Sequence, residues 1–429
     1  MSKYFLKKLY AAIILIMLPF SVHSDNIFDN VKRFTLKNGI DVISLYNEGS
    51  DVFSIKVGIK LTSIIENTNN AGIRNLLLNI LLRSTKSMSA YDLAVAIEDI
   101  GATVAPILTR DYMGIGAVSL NSFSSELVDI LYDIVCNPSF DGYEEEKNRA
   151  IQLSNVQKNI WNEVLDLWML KSLKTSYRLK TTGYDNSIKK ISLEDIKKLY
   201  NSGVSGDNIV IVIVGKFKDT HYLKDLLKPF DNILTGKKIF QSPVELILSK
   251  FGFEETKNVD SSAFAIGIDG IKRGSSDYLE WLIMSDYLSN EMDNKLRQEN
   301  GLGYGARASA VSFATGGYLI LYSDISNNSN LNKGYEMATF LLENSMKDIS
   351  DSDFDLSKNM VRGNLARANQ TSSEMASSLL SNYIYGLPQD YTYKLLKQID
   401  SVKKVDIIKT HNINSKKNSA SVKIKGLRE

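Results

Sequence analysis

The feature that most restricts the fold of this chain is an internal repeat in the order of its predicted elements. The alternating stretch FSIKVGIK, which begins at Phe53, indicates a half-buried strand, and FAIGIDGI, which begins at Phe264, has the same pattern. Phe264 lies 211 residues after Phe53, and Phe354, at the start of a long predicted helix, lies 214 residues after its counterpart Phe140. These nearly equal offsets indicate that an α+β unit is duplicated.

The two halves continue with the same series of elements. A helix pattern, a glycine-punctuated pair of strands and an amphipathic helix follow in each, at 71–83, 101–120 and 125–138, and at 277–297, 304–325 and 330–346. The apolar run at 207–217 closes the first half. A chain of 429 residues exceeds one ordinary core. We therefore expect an N-terminal domain at 25–233, a linker at 234–248 and a C-terminal domain at 249–429.

The first 24 residues have the pattern of a secretory signal peptide. Lysines at 3, 7 and 8 precede an apolar core at 9–20, and Val22-His23-Ser24 provides a small-residue cleavage site. We expect the protein to be exported to the periplasm. The alternative is that the segment stays uncleaved and anchors the chain to the membrane. No segment after residue 24 is long and apolar enough to span a bilayer.

Charge and residue counts exclude several classes of function. The net charge of +2, without a basic stripe, gives no electrostatic surface for nucleic acid. Cys136 is the only cysteine, so an internal disulfide is impossible, and its apolar neighbours indicate a buried structural thiol. Of the three histidines, His23 leaves with the signal, and His221 and His411 stand in remote polar stretches without an acidic partner at ligand spacing. The run Glu144–Glu146 begins a helix, where we expect a solvated face.

The stretch AGIRNLLLNILLRST, at 71–85, raises the question of function. Asn75 and Asn79 are four residues apart, so one turn of helix places both amides on the same stripe, where leucines would serve a plain core better. The simplest role for both is packing against a neighbouring strand with the amides hydrogen-bonded.

Several fragments together resemble the M16 (insulinase, or pitrilysin-like) metallopeptidases and their relatives. RFTLKNGIDVISLYNEGSDVFSIKVGIK, with Asn38-Gly39 as a turn, is similar to the opening hairpin of that family, and LRQENGLGYGARASA is the sharpest match in the second half. The matches run along nearly the whole mature chain. The resemblance implies two homologous α+β domains, each with mixed antiparallel sheets flanked by helices, which form half of a clam-like chamber.

The resemblance also gives the asparagine stripe a meaning. Active members carry His-x-x-Glu-His on the helix that aligns with 75–79, with the histidines as zinc ligands and the Glu as general base. This chain has Asn75, Leu78 and Asn79 at those positions. The third family ligand, a Glu roughly 75 residues further on, falls at Ser154 or Asn155. We therefore expect no metal, no cofactor and no peptide cleavage by this chain alone.

A second set of family residues is kept. Arg297 and Tyr304 match the pair that faces the zinc across the chamber, where by resemblance the tyrosine donates to the developing oxyanion and the arginine holds a substrate carbonyl. By the same reasoning Gly301, Gly303 and Gly305 let the backbone approach a bound peptide. The alternative from spacing alone is structural: Arg297 caps the helix, Gly301 ends it and Tyr304 packs in the next strand.

These residues lead to one main hypothesis and two alternatives. The main hypothesis is a pseudo-peptidase: a non-catalytic subunit that pairs with an M16 chain bearing the zinc motif, binds unfolded peptides and assists catalysis in trans through Arg297 and Tyr304. The first alternative is a structural or interaction protein, similar to the core subunits of respiratory complex III. An active zinc enzyme, the second, is contradicted by the replaced ligands.

Overall fold

The computed structural model of the protein describes residues 27–156, 159–236, 251–414 and 419–427, and each half of the chain contains one mixed β-sheet. The first sheet has the strand order β1-β2-β6-β3-β5-β4. Its strands are β1 (Val31–Thr35), β2 (Asp41–Tyr46), β3 (Val52–Ile59), β4 (Thr103–Leu108), β5 (Met113–Leu120) and β6 (Ile209–Gly215). The predicted signal peptide and most of the predicted linker lie outside the described residues.

The second sheet repeats this order with one strand fewer. Its strands are β7 (Phe251–Lys257), β8 (Ser262–Asp269), β9 (Ala306–Ser312), β10 (Gly317–Ile325) and β11 (Ser419–Gly426), in the order β7-β11-β8-β10-β9. In each sheet the last strand of the half inserts beside the central strand: β6 runs parallel to β2 and antiparallel to β3, and β11 runs parallel to β7 and antiparallel to β8. The predicted two-domain α+β fold is confirmed, and the duplication is visible in the topology.

Helices flank both sheets. Those of the first half are α1 (Ile73–Leu81), α2 (Ala90–Asp99), α3 (Ser124–Cys136), α4 (Tyr143–Val156), α5 (Ile160–Ser172), α6 (Asp185–Lys190), α7 (Leu193–Gly203) and α8 (Thr220–Leu226). Those of the second half are α9 (Tyr278–Met292), α10 (Leu331–Asn344), α11 (Asp351–Arg367), α12 (Ser372–Ile384), α13 (Tyr391–Gln398) and α14 (Lys404–Asn414). No helix among these described segments combines the length and apolarity that crossing a bilayer requires.

The opening hairpin forms as its sequence predicts. Gly39 adopts a φ of 94°, a left-handed conformation that glycine reaches without strain, and it turns β1 back onto β2. The side chain of Asn38 donates to the carbonyl oxygens of Phe230 and Ile233 at 2.8 and 2.9 Å. The turn is therefore tied to the end of the first half.

The apolar strand β6 is buried on both faces, and each face meets a different half of the chain. Its isoleucines pack in the core of the first half, with α1 and α3. Its valines pack against α12 of the second half, through Met375, Leu379 and Leu380. Strand β3 leaves room for this helix at Gly58, where an added Cβ would lie 2.6 Å from a methyl carbon of Leu380.

A helix of the first half covers the second sheet in return. On α5, the indole N–H of Trp168 donates to the Ala420 carbonyl of β11 at 2.8 Å. A Cβ on Gly267 of β8 would lie 2.4 Å from the Trp168 ring, so glycine is needed at that point of the strand. The two halves therefore exchange one helix each, and each sheet is complete only with the helix from the other half.

Candidate functional site

Helix α1 carries the three positions at which the resemblance places two zinc ligands and the general base. Leu78 is fully buried (0% exposed) in the core of the first half. Asn75 and Asn79 are partly exposed, and in the described part of the chain neither amide has a hydrogen-bond partner, contrary to the expectation above. An aliphatic group enclosed by the core cannot abstract a proton, and amides are poor zinc ligands.

The start of α1 is fixed by a buried arginine that the sequence analysis did not single out. Arg74 pairs with Glu66 at 3.3 Å and donates to the carbonyl oxygens of Leu61 and Thr109 and to the hydroxyl of Ser63. Burial raises the pKa of the Glu66 carboxyl, and the Arg74 charge opposes that shift. A lone charged residue in an otherwise uncharged helix was the available signal. This pair holds the helix that an active relative would use for its metal.

The third ligand position lies near the end of α4 and offers no carboxylate. The Ser154 hydroxyl donates to the Ile151 carbonyl one turn earlier, at 2.8 Å, and Ser154 lines a polar cavity of about 350 Å³ beside Arg110. Asn155 follows it on the same helix. At the beginning of α4, Glu144 and Glu145 are exposed, as expected for a solvated face.

One residue of the acidic run differs from that expectation. Glu146 is buried and pairs with Arg83 at 3.0 Å, because it points from α4 towards the end of α1. The acidic run is therefore a solvated face only in part.

The histidines and the cysteine do not form a ligand set. His221 is exposed and lies 3.6 Å from Asp225 one turn along α8, an acidic neighbour that the sequence analysis overlooked. His411 is buried despite its polar sequence, and its Nε2 bonds the Leu342 carbonyl at 2.6 Å. Cys136 is half-buried, and burial raises the pKa of its thiol. Among the described residues, no three side chains of His, Cys, Asp or Glu converge as metal ligands would.

Arg297 lies in a π-helical turn (Asp293–Gln298) that continues α9. Its guanidinium pairs with Asp293 at 3.3 Å and remains half exposed, at 52%. Gly301, with a φ of 59°, ends the helix: its N–H donates to the Arg297 carbonyl at 3.0 Å, and the N–H of Leu302 donates to that of Leu296 at 2.8 Å. The structural role predicted for Gly301 is thus fulfilled, whereas the Arg297 side chain pairs with a carboxylate rather than with the terminal carbonyls.

Tyr304 stands on a loop before β9 and is 85% exposed. Two hydrogen bonds fix this loop to the second sheet. The buried carboxylate of Asp324 on β10 accepts from the N–H groups of Tyr304 and Gly305 at 3.1 and 3.0 Å. A Cβ on Gly303 would lie 2.1 Å from the Asp324 carbonyl oxygen, so only glycine fits there. Tyr304 therefore does not pack in the strand. Asp324 was missed, although a carboxylate inside an apolar strand was a usable signal.

The loop is also supported by the first half. A Cβ on Gly305 would lie 2.3 Å from the ring of Trp161, near the start of α5, and that ring packs edge-on against Tyr322 with centroids 5.3 Å apart. Within the described ranges, no hydrogen bond, ion pair or ring contact joins Arg297 or Tyr304 to the three positions on α1. The kept pair and the replaced ligands are thus separate features of this chain.

A duplicated α+β fold with these helix-borne positions is the architecture of two-domain zinc peptidases and of their non-catalytic relatives. The chain belongs to the M16 family: the family model described as insulinase (peptidase family M16) matches residues 41–185, and that described as peptidase M16 inactive domain matches residues 190–361. The first match spans the replaced ligand positions.

Individual relatives are similar over most of the chain. The uncharacterized zinc protease YmxG of Bacillus subtilis is 20% identical over 83% of this chain and 89% of its own length. The non-peptidase homolog YmxG of Helicobacter pylori is 21% identical over 81% of this chain and 83% of its own. The crystal structure of a peptidase M16 inactive domain from Pseudomonas fluorescens superposes with a TM-score of 0.85 at 15% identity, covering 93% of this chain and all of that one. With the replaced ligands, these matches support an inactive M16 chain.

Proposed function

We propose that this chain is the non-catalytic subunit of a heterodimeric zinc peptidase that acts on peptides in the cell envelope. The partner is an M16 chain with an intact His-x-x-Glu-His motif, which supplies the zinc, its ligands and the general base. This chain supplies substrate binding and oxyanion stabilisation through Arg297 and Tyr304. It has no peptidase activity by itself, because its own positions hold amides and an aliphatic group.

The observation that carries the proposal is the exposure of Tyr304 on an anchored loop. A large aromatic side chain left 85% exposed in a single chain is available to a second one. Its backbone is fixed by two hydrogen bonds to Asp324 and by contact with Trp161. A donor held rigidly and presented outwards suits oxyanion stabilisation, because it needs no reorganisation during the reaction.

Arg297 and the glycines fit the same role. The guanidinium is half exposed and its ion pair with Asp293 lies on the surface. Replacing the Asp293 carboxylate by a substrate carbonyl as the partner of Arg297 therefore costs little free energy. Nothing lies within 4 Å of the side-chain position of Gly301, so an extended peptide can approach the backbone there. The predicted export signal supports a periplasmic location for this chemistry.

The test is reconstitution with an M16 chain from the same organism that carries the intact motif. On a fluorogenic peptide, we expect this chain alone to show no cleavage and the partner alone to cleave far more slowly than the mixture. The mixture is expected to form a complex that cleaves the peptide. Tyr304→Phe removes only the hydroxyl, and we expect a loss of kcat of about tenfold or more, equal to about 1.4 kcal/mol. The matched control is Tyr91→Phe, which alters a similarly exposed tyrosine (76%) on α2 and leaves turnover unchanged.

The outcomes separate the proposal from its alternative. Absence of a complex and of any gain in rate on mixing would remove the pairing. Unchanged turnover of Tyr304→Phe in an intact complex would leave a structural or interaction protein, as in the first alternative. Arg297→Gln is expected to raise KM more than Lys295→Gln, which changes a cation in the same turn that is bound to Glu299.

A further inference from the structure

A second candidate site lies away from the loop and from α1. A cavity of about 600 Å³ opens where the two halves meet, between α9, α11, α12 and β9, with Tyr112 of the first half in its wall. This volume is typical of small-molecule sites. None of the residues discussed for peptide chemistry lines it.

One end of the cavity holds an arginine without a carboxylate partner. Arg273 donates through Nη1 to the hydroxyl of Tyr278, and its guanidinium lies 4.9 Å from the centroid of that ring. Its Nε is buried and has no hydrogen-bond partner among the described residues, and in the same part of the chain no ion pair engages it. A cation and a buried donor are therefore available at this end.

A tyrosine hydroxyl adds a donor at the same cavity. Tyr112 is buried and lines the cavity, and its hydroxyl makes no hydrogen bond to the described residues. Burial raises the pKa of Tyr112 above its usual value, so its hydroxyl remains a protonated donor at neutral pH.

The acidic groups near this end do not neutralise it. Asp111 accepts from the hydroxyls of Tyr177 and Tyr385 at 2.6 and 2.8 Å and makes no ion pair with Arg273. Asp286, the carboxylate in the cavity wall, follows Tyr278 by eight residues on α9, which is about 12 Å along a helix axis. The Arg273 end therefore has donors and positive charge in excess.

We propose that this cavity binds a carboxylate, with Arg273 as its charged partner and the hydroxyl of Tyr112 as a further donor. Charge-assisted hydrogen bonds from a guanidinium match the two oxygens of a carboxylate, and aromatic rings around the group exclude water. The carboxylate belongs to a small organic acid or to the C-terminus of a short peptide. The site stands independently of the subunit role proposed above.

Calorimetric titration of the full chain tests this site. The probes are acetate, tri-alanine and tri-alanine amide. We expect the free acid of the tripeptide to bind and its amide to bind at least about tenfold more weakly, a difference of about 1.4 kcal/mol. Arg273→Gln weakens acid binding by at least about tenfold. The neighbouring surface change Lys272→Gln leaves it unaltered.

Two further results make the test decisive. Tyr112→Phe removes one hydroxyl only, so it keeps the fold and lowers affinity severalfold even where Arg273→Gln is unstable by circular dichroism. Acetate and tripeptide of similar affinity identify a small acid as the ligand, whereas a tripeptide bound about tenfold more tightly than acetate identifies a peptide terminus. Equal binding of acid and amide, no binding of any probe at about 10 mM, or unaltered affinity in both variants overturns the proposal.

Discussion

Replacing Trp168 by alanine tests whether the exchanged helix α5 holds the two halves together. The side chain is 0% exposed, its N–H bonds the Ala420 carbonyl at 2.8 Å, and its ring packs against Tyr318 with centroids 4.9 Å apart. The ring occupies the space where a side chain of Gly267 would otherwise lie. Truncation of a fully buried tryptophan costs about 3–5 kcal/mol, and the lost hydrogen bond places this site near the middle of that range or above it, so we expect about 4 kcal/mol.

Urea unfolding, followed by far-UV circular dichroism and by tryptophan fluorescence, measures this loss. The intact protein is expected to give coincident transitions, because each sheet needs the helix of the other half. In Trp168→Ala the second sheet loses its cover, so the two probes separate. The matched control is Trp281→Ala, a tryptophan of equal burial (1%) on α9, which packs within the second half.

The control is expected to lose a similar free energy without separating the probes. A loss below about 1 kcal/mol for Trp168→Ala, or an equal separation of probes in both variants, would refute the idea that the exchanged helices couple the halves.

Three further predictions concern α1 and the buried histidine. Arg74→Ala leaves the buried Glu66 without its partner and should cost about 3–5 kcal/mol in urea unfolding, whereas a cost below about 1 kcal/mol would mean that the pair does not anchor α1. Asn75→Ala and Asn79→Ala should each change stability by less than about 0.5 kcal/mol, and a larger loss would reveal a packing role. Burial lowers the pKa of His411 below 6.5, so the unfolded state takes up the proton first as the pH falls, and the free energy of unfolding decreases as the pH drops through that value. His411→Gln can still donate to the Leu342 carbonyl and should lose this pH dependence in thermal melts recorded across pH. An unchanged pH profile in the variant would contradict this prediction.

Local pattern was sufficient for much of the fold because neighbouring residues decide it. The turn at Gly39, the corresponding strands β3 and β8 of the two sheets, and the end of the helix at Gly301 depend on alternation and on backbone freedom, which are properties of adjacent residues. The placement of individual polar groups did not follow in this way. Glu146 and His411 stand in polar stretches and are buried, since distant elements cover them.

The sequence by itself determined that the chain is a duplicated α+β protein and that amides and leucine replace the zinc ligands and base of its family, because both facts depend on residue identity and order. The exchange of α5 and α12 between the sheets, the outward exposure of Tyr304 on the loop bound by Asp324, and the meeting of Tyr112 and Arg273 at one cavity were decided only by the tertiary structure. Those features join residues more than a hundred positions apart in several cases, and which face of a helix finds which sheet depends on packing of the whole chain rather than on any local pattern.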